Sequence, residues 1–396
     1  LEKGELAMGE FIDLSKAFDT INHRILLDKL DHYGIRGKLN QWLGSYLYGR
    51  EQYVEYLDKK SDRLPIITGV PQGSILGPLL FLIYINDLPS ATKLKTVMFA
   101  DDTNLLARGK DLKVIETEVN IELGKLSDYF RANKLKLNAS KTKLVCFNKK
   151  CANLDLNSIS ITLDGHRLKI DEDASFLGII IDKNLDWGKH CKKVSDTISK
   201  NCSALNRVKK LLPPTSLKVL YCSMIQSHLQ YGLAAWGGCS GQNKKRIVSI
   251  QKRAIRIVSK SYFNSHTEPR MKKLGILRLD ELYSQQCATL IHDVTFDHAP
   301  KPIKNMLTLT REATQYNLRN HHRDPFHVRT PVSKCKVATN SFCHQGPLQW
   351  NKLPKEIQEI RERNIFKNRL KTHFLNNYSS MTNCNNPNCT DRRHHH

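Results

Sequence analysis

The sequence predicts an α+β first half followed by a mostly helical second half. In residues 1–182, short apolar segments of strand length alternate with amphipathic helices. Beyond Asp182, apolar residues recur almost throughout at helical spacing. The pattern predicts helices there over about 187–211, 214–230, 243–259 and 278–295.

In the first half, acidic residues stand at the ends of predicted strands. The apolar segment Glu-Phe-Ile leads directly into Asp13. Two apolar strands, 96–99 and 104–107, flank Ala-Asp-Asp and predict a hairpin with Asp101 and Asp102 at its turn. Helices are predicted from the Asn22 cap to Gly34, over about 38–48, after Ser74 and over 111–132. Further short strands are predicted near 143–147, 159–163, 167–170 and 176–181.

The C-terminal part shows a weaker pattern. We interpret residues 297–350 as irregular, 355–375 as a last helix, and 376–396 as a polar, disordered tail. The tail carries Cys384 and Cys389, a spacing that could bind zinc with the final histidines, but a disordered tail is the favoured reading.

The charge is distributed very unevenly. The net charge is +24, yet residues 1–182 carry 25 basic and 25 acidic residues, so the whole excess lies beyond Asp182. Such asymmetry indicates a polyanionic partner, nucleic acid before an anionic membrane surface. The longest apolar run, 77–85, is too short to span a bilayer. With no secretory signal, we expect a cytoplasmic and nuclear protein with reduced cysteines.

The acidic residues offer a specific chemistry. Carboxylates that meet at strand ends can hold two Mg²⁺ ions, which clamp the attacking and leaving oxygens of a phosphoryl transfer. Asp13, Asp101 and Asp102 are the candidates. The alternative for Asp101 and Asp102 alone is ordinary turn chemistry, since Asp is common in turns.

Three sequence motifs that occur in order favour the metal-binding interpretation over ordinary turn chemistry. Residues 11–19 (FIDLSKAFD), 69–78 (GVPQGSILGP) and 99–102 (FADD) resemble motifs A, B and C of reverse transcriptases. Residues 135–143 resemble motif D, and 176–178 (FLG) resemble the primer-grip motif E. The nearest likeness is to non-LTR, LINE-type retrotransposons of the jockey and CR1 kind.

The resemblance implies roles for individual residues. Asp13, Asp101 and Asp102 would be catalytic and would bind two Mg²⁺ ions, or Mn²⁺ as a substitute, together with the backbone carbonyl of Leu14. The residues that would contact the nucleotide are Phe18 as a steric gate against a ribose 2′-OH, Gln72, Gly73, and Lys141 or Lys143 at the pyrophosphate. Phe176, Leu177 and Gly178 would form the primer grip, and Phe99 would pack near the primer end.

The resemblance also implies an architecture and partners. We expect a polymerase palm at 1–182, an antiparallel sheet backed by helices, then a helical thumb at 183–260 and a basic extension at 261–375. The partners would be an RNA template, a DNA primer and a dNTP. Only twelve residues precede Asp13, so we interpret the chain as lacking the fingers motifs and the endonuclease.

The leading hypothesis is RNA-directed DNA polymerisation. The alternative is a catalytically inactive nucleic-acid-binding remnant of a truncated element. A third hypothesis, another palm enzyme such as a nucleotide cyclase, leaves the Pro-Gln-Gly loop and the basic half without a purpose and is disfavoured.

Overall fold

The chain forms two compact units that divide between Asn184 and Leu185 in a computed structural model. The structure describes residues 5–147, 158–310, 325–333 and 335–378. Each unit is organised around hydrophobic cores of its own. No helix in these ranges is both long enough and apolar enough to cross a membrane.

A four-stranded antiparallel sheet is the frame of the first unit. In order across the sheet, its strands are Lys95–Phe99 (β6), Asp102–Gly109 (β7), Leu6–Ile12 (β1) and Lys143–Phe147 (β8). The strands of this unit are β1 (Leu6–Ile12), β2 (Glu51–Gln52), β3 (Glu55–Tyr56), β4 (Lys59–Lys60), β5 (Leu64–Pro65), β6 (Lys95–Phe99), β7 (Asp102–Gly109), β8 (Lys143–Phe147), β9 (Thr162–Leu163), β10 (His166–Arg167), β11 (Asp173–Phe176) and β12 (Ile179–Asp182). Its helices are α1 (His23–His32), α2 (Gly37–Leu47), α3 (Leu76–Ile85) and α4 (Leu112–Ala132). The predicted mixture of helices and antiparallel strands is confirmed.

β1 pairs with β7 on one edge and with β8 on the other, and its apolar side chains reach the core. Leu6, Met8 and Ile12 project into the core from one face of the strand. The apolar face of α4 belongs to the same core. Asn22 caps α1 as predicted, because its side-chain oxygen accepts the backbone N–H of Ile25 at 3.1 Å.

The predicted strand at 176–181 is confirmed only in part, because a hairpin turn at residues 177 and 178 interrupts it. β11 pairs with β12, and the last pair before the turn is Phe176–Ile179, so the two residues between them form the turn. Leu177 and Gly178 both have positive φ, 48° and 78°, as a tight type I′ hairpin turn requires. Leucine rarely adopts this conformation, so Gly178 alone could indicate a turn here, and the apolar residues around it indicated a strand.

The second unit is helical in the part that the structure describes. Its helices are α5 (Gly188–Val208), α6 (Pro214–Tyr221), α7 (Ser227–Gln230), α8 (Leu233–Trp236), α9 (Gly241–Val258), α10 (Glu268–Leu274), α11 (Leu279–Thr295), α12 (Lys301–Lys304), α13 (Lys336–Thr339), α14 (Phe342–Trp350), α15 (Lys355–Gln358) and α16 (Arg363–Asn376). A π-helical turn, Cys222–Gln226, joins α6 to α7.

Three predictions for the C-terminal part need correction. The segment predicted as irregular contains α14, which forms despite Pro347 because Trp350 is fully buried and its indole N–H donates to Phe326 O at 2.7 Å. The predicted helix 355–375 is interrupted after α15, where the buried Gln358 amide donates to Trp350 O. The predicted tail begins too early, since α16 reaches Asn376 and Tyr378 is buried.

Candidate active site

The sheet register brings three carboxylates to one edge. The β1–β7 ladder ends with the pair Ile12–Thr103, so Asp13 and Asp102 are the next residues on neighbouring strands. The β6–β7 hairpin closes with the pair Phe99–Asp102, which leaves Ala100 and Asp101 as its two-residue turn. Ala100 has a φ of 52°, the left-handed conformation that so tight a turn needs.

The three carboxylates interact through their charges. The pKa of Asp102 is raised above its ordinary value, first by partial burial and then by the negative charges of Asp101 and Asp13. Within the described residues, none of the three forms an ion pair with a lysine or arginine. Carboxylate oxygens that have no cationic partner are the kind of ligand that a hard divalent cation prefers. Among the described residues, nevertheless, no group of three or more His, Cys, Asp or Glu side chains is arranged so that it could hold a metal ion.

The segment that resembles motif D supports Asp13 from the side. Asp13 donates its backbone N–H to Thr142 Oγ1 at 3.3 Å, and its carbonyl accepts the N–H of Asn138 at 2.9 Å. An antiparallel bridge joins Leu14 to Leu137. The backbone around the first carboxylate is therefore fixed from two directions, by β7 and by this segment.

The two lysines proposed for the pyrophosphate differ in their surroundings. Lys143 belongs to β8, and its ammonium group donates to the backbone carbonyl of Asp173 at 3.3 Å. Lys141 is exposed. Of the two, Lys141 is the better placed to approach a ligand.

Phe18 lies in a short 3₁₀ turn, Ala17–Asp19, that follows Asp13. Its ring packs against Phe81 of α3, with ring centroids 4.5 Å apart and planes inclined by 32°. The side chain is only partly buried. One side of the ring is thus held by the core while the rest is accessible, an arrangement compatible with both a core role and a gate.

The loop that resembles motif B is bonded to this same turn. Val70 donates its N–H to Phe18 O at 2.9 Å, and Gly69 donates to Ile21 O at 2.8 Å. His23 Nε2 lies 2.7 Å from the carbonyl oxygen of Gly69. These bonds fix the position of the predicted nucleotide-binding residues relative to the end of β1.

Asp19 holds the loop in place through two hydrogen bonds, and the sequence did not predict this role. The Gln72 amide donates to Asp19 Oδ1 at 2.7 Å, and the Thr68 hydroxyl donates to the Asp19 carbonyl at 3.0 Å. Gly73 follows with a φ of 79° and open space around it, so the backbone is accessible there. Asp19 lies inside the first motif, but its partners are about fifty residues away, so no local pattern could reveal them.

A polar cleft of about 540 Å³ opens beside this loop. Two cationic residues, Lys16 and Arg50, line it together with Asp19 and Gln72. Neither cation has an ion-pair partner among the residues that the structure describes. Both were missed from the sequence, because a single Lys or Arg between motifs carries no distinguishing signal.

The remaining predicted residues lie on two hairpins of the first unit and in the C-terminal tail. Phe176, Leu177 and Gly178 form the end of β11 and the hairpin turn, and the hairpin is attached to β8 near its base. Phe99 at the end of β6 is 62% exposed. Cys384 and Cys389, considered for zinc, lie outside the described residues.

Comparison with known proteins bears on the family of the first unit. Residues 2–181 match the family model described as "Reverse transcriptase (RNA-dependent DNA polymerase)". A relative in Drosophila melanogaster, the RNA-directed DNA polymerase from mobile element jockey, is 26% identical over 71% of this chain and 31% of its own length. Another from the same species, the probable RNA-directed DNA polymerase from transposon BS, is 30% identical over 63% of the chain and 28% of its own length.

Residues 2–181 therefore belong to the reverse transcriptase family, a class of nucleotidyltransferases that uses divalent metal ions such as Mg²⁺. The relatives identify the domain more closely as a LINE-type, non-LTR retrotransposon reverse transcriptase. The chain spans about a third of the length of these relatives. A solved telomerase from Candida albicans in complex with telomeric RNA is similar over 65% of this chain and 48% of its own, with 11% identity and a TM-score of 0.35.

Proposed function

We propose that this chain carries the catalytic centre of an RNA-directed DNA polymerase, which joins a dNTP to a primer 3′-OH. The observation that carries the proposal is the convergence of Asp13, Asp101 and Asp102 at one edge of the sheet, where partial burial and then the charges of the first two raise the pKa of the third. Such repulsion costs stability unless a cation offsets it.

The three carboxylates and the Leu14 carbonyl would hold the metal ions. Two Mg²⁺ ions bound there, or Mn²⁺ in their place, would supply Lewis-acid activation of the primer hydroxyl and neutralise the charge on the leaving pyrophosphate. The contribution of the chain itself is to fix the backbone at Asp13 between β7 and the segment of Asn138 and Thr142, and to place Asp101 and Asp102 beside it.

The loop beside Asp19 would hold the nucleotide. Gln72 is already oriented by its hydrogen bond to Asp19, and the open backbone at Gly73 permits close approach. Lys16 and Arg50 face the same cleft and would bind phosphate oxygens, while Lys141 would approach the pyrophosphate. Phe18, held on one side by Phe81, would block a ribose 2′-OH.

The basic second half would bind the template and primer. All of the +24 net charge lies beyond Asp182, and the residues assigned to a thumb (183–260) and extension (261–375) are mostly helical where described. Phosphate contacts of this kind position a duplex without reading its sequence. The hairpin at Phe176, Leu177 and Gly178 would contact the primer strand.

Primer extension tests the proposal. An oligo(dT) primer on poly(rA) is incubated with dTTP and Mg²⁺, using the wild type, Asp13→Asn and Asp101→Asn. We expect extension by the wild type and a loss of at least about 100-fold in each variant, since each removes an oxygen ligand and a negative charge without changing side-chain size.

Matched variants make the result specific. Asp128→Asn, an exposed carboxylate on α4 paired with Arg131, should extend as the wild type does. Arg50→Gln should raise the KM for dTTP more than it lowers kcat, because it removes ground-state phosphate binding. Absence of extension by the wild type, with duplex binding retained, would contradict the proposal and favour a binding protein.

A further inference from the structure

A short turn in the second unit exposes two neighbouring aromatic rings. Residues 261–266 connect α9 to α10, and within this turn Tyr262 is 64% exposed and Phe263 is 87% exposed. The apolar surface of these two rings stays in water, so the fold does not gain the free energy that their burial would provide. Such exposed aromatic side chains are a feature of surfaces on which a ligand stacks.

The turn that carries these rings is firmly held. Ser261 donates its N–H to Arg256 O at 2.9 Å, and Ser265, which is fully buried, donates to Tyr262 O at 3.2 Å. Two arginines also bind the turn from outside, by donating to backbone carbonyls: Arg256 Nε to Ser265 O at 2.9 Å and Arg270 to His266 O at 2.6 Å. Because the backbone is fixed, a ligand that stacks on the rings pays little to order them.

The surroundings of the turn are strongly positive. Residues 241–273 contain ten lysines and arginines and one acidic residue, Glu268, which pairs with Arg278. Lys252 and Arg253 are exposed on α9. The pKa of Arg256 is lowered by burial and by the nearby positive charge of Arg270, so these cations repel one another. A polyanion would relieve that repulsion.

We infer that the turn at Tyr262 and Phe263 is a stacking site for unpaired nucleotides of an RNA strand, whose phosphates are bound by the basic residues of α9. Exposed rings and a dense positive charge occur together at this turn, and single-stranded nucleic acid offers both a stackable face and a phosphate in every nucleotide. An apolar protein partner would match the rings but not the charge. The assignment to RNA rests on the proposed function, in which the template is RNA.

Binding of a short RNA tests this inference without any catalysis. Fluorescence anisotropy of a labelled, unstructured 12-nucleotide RNA is measured with the full chain in EDTA, without dNTP. We expect Tyr262→Ala and Phe263→Ala each to weaken binding about 5-fold or more, because each removes one stacked ring. Leu211→Ala, which shortens a side chain that is 82% exposed in the same unit, should leave binding unchanged.

Further variants separate stacking from charge and from apolar contact. Phe263→Trp should retain binding, whereas Phe263→Leu should bind as weakly as Phe263→Ala, because leucine is apolar but has no ring. The slope of log K against log salt concentration should be unchanged in the ring variants. In the double variant Lys252→Gln, Arg253→Gln the magnitude of this slope should fall by about 1.4, because each lost phosphate contact removes about 0.7.

Several results would overturn the inference. One is an unchanged affinity for the single-stranded RNA in both Phe263→Ala and Tyr262→Ala. Another is an equal loss of affinity for blunt duplex RNA in these variants. A third is wild-type affinity in Phe263→Leu, which would indicate an apolar protein-docking surface. Tighter binding of single-stranded DNA of the same sequence, with a larger effect of the ring variants, would overturn the assignment to RNA. The binding assay contains no metal or nucleotide, so its result does not depend on whether the chain extends a primer. The two proposals can therefore be contradicted independently of each other.

Discussion

Two glycines of the loop beside Asp19 have nearly the same backbone conformation but different surroundings. Gly69 has a φ of 86° and Gly73 a φ of 79°. Replacing either one by alanine places an L-residue in the left-handed region, at a cost of about 1–2 kcal/mol. The pair therefore separates conformational strain from steric conflict.

The steric conflict is confined to Gly69. A Cβ atom there would lie 2.9 Å from both the Cα and the carbonyl oxygen of Asp19, whereas a Cβ at Gly73 would meet nothing within 4 Å. Because backbone atoms cannot rotate away, the loop must separate from the 3₁₀ turn. That movement breaks the hydrogen bonds from Gly69 to Ile21 and from Val70 to Phe18, each worth about 1 kcal/mol.

We therefore expect Gly69→Ala to destabilise the first unit by about 3–4 kcal/mol and Gly73→Ala by about 1–2 kcal/mol. Hydrogen exchange of the β1 and β7 amides, monitored by mass spectrometry, reports the opening of this unit directly. The difference of about 2 kcal/mol corresponds to roughly 30-fold in protection. Equal effects of the two substitutions, or a larger effect at Gly73, would refute the packing of this loop against Asp19.

Two further predictions concern buried or half-buried side chains near the site. Burial raises the pKa of Glu10 well above its usual range, and the described residues give neither carboxylate oxygen a hydrogen bond, so the folded protein keeps this group protonated when the unfolded chain would release the proton. The free energy of unfolding should therefore fall as pH rises above about 4.5, and urea titrations at pH 5 and pH 8 should show a weaker pH dependence in Glu10→Gln; an unchanged dependence would contradict the assignment. Phe18→Val should raise incorporation of ribonucleotides relative to deoxynucleotides in a primer-extension competition, with Phe81→Leu, which alters the supporting ring, giving a smaller increase; unchanged discrimination in Phe18→Val would exclude a gate.

The sequence predicted the features that depend on local signals. The Asn22 cap, the helix over 111–132 and the hairpin around Asp101 and Asp102 all follow from periodicity, capping and turn residues close to one another in the chain. The motif order predicted the family, which the match to residues 2–181 confirms.

What could not be predicted depends on contacts between distant residues. Asp19 is exposed and locally unremarkable, and only the folded chain brings it to Gln72. The turn at Leu177 was read as strand because its neighbours are apolar and its backbone conformation is rare for leucine. Trp42 and Leu43 are neighbouring apolar residues of α2, yet Leu43 is buried while Trp42 is 55% exposed, because the core covers a narrower stripe of the helix than the apolar residues occupy.

If Asp13, Asp101 and Asp102 act as one cation-binding centre, the order of stability of the wild type and a variant of this centre should reverse when metal is added. Without metal, Asp102→Asn should be more stable than the wild type at neutral pH. The reason is that a carboxyl whose pKa is raised above 3.8 in the folded state destabilises the fold once the pH exceeds that value. With Mg²⁺ at about 100 times its dissociation constant, the wild type should gain about 2.7 kcal/mol, while Asp102→Asn should gain much less.

Hydrogen exchange of β1 and β7 amides in EDTA and in Mg²⁺, for the wild type and Asp102→Asn, makes this measurement directly. We expect Asp102→Asn to be the better protected protein in EDTA and the less protected one in Mg²⁺. An equal response of both proteins to Mg²⁺, or a wild type that is the more stable in both conditions, would contradict this expectation.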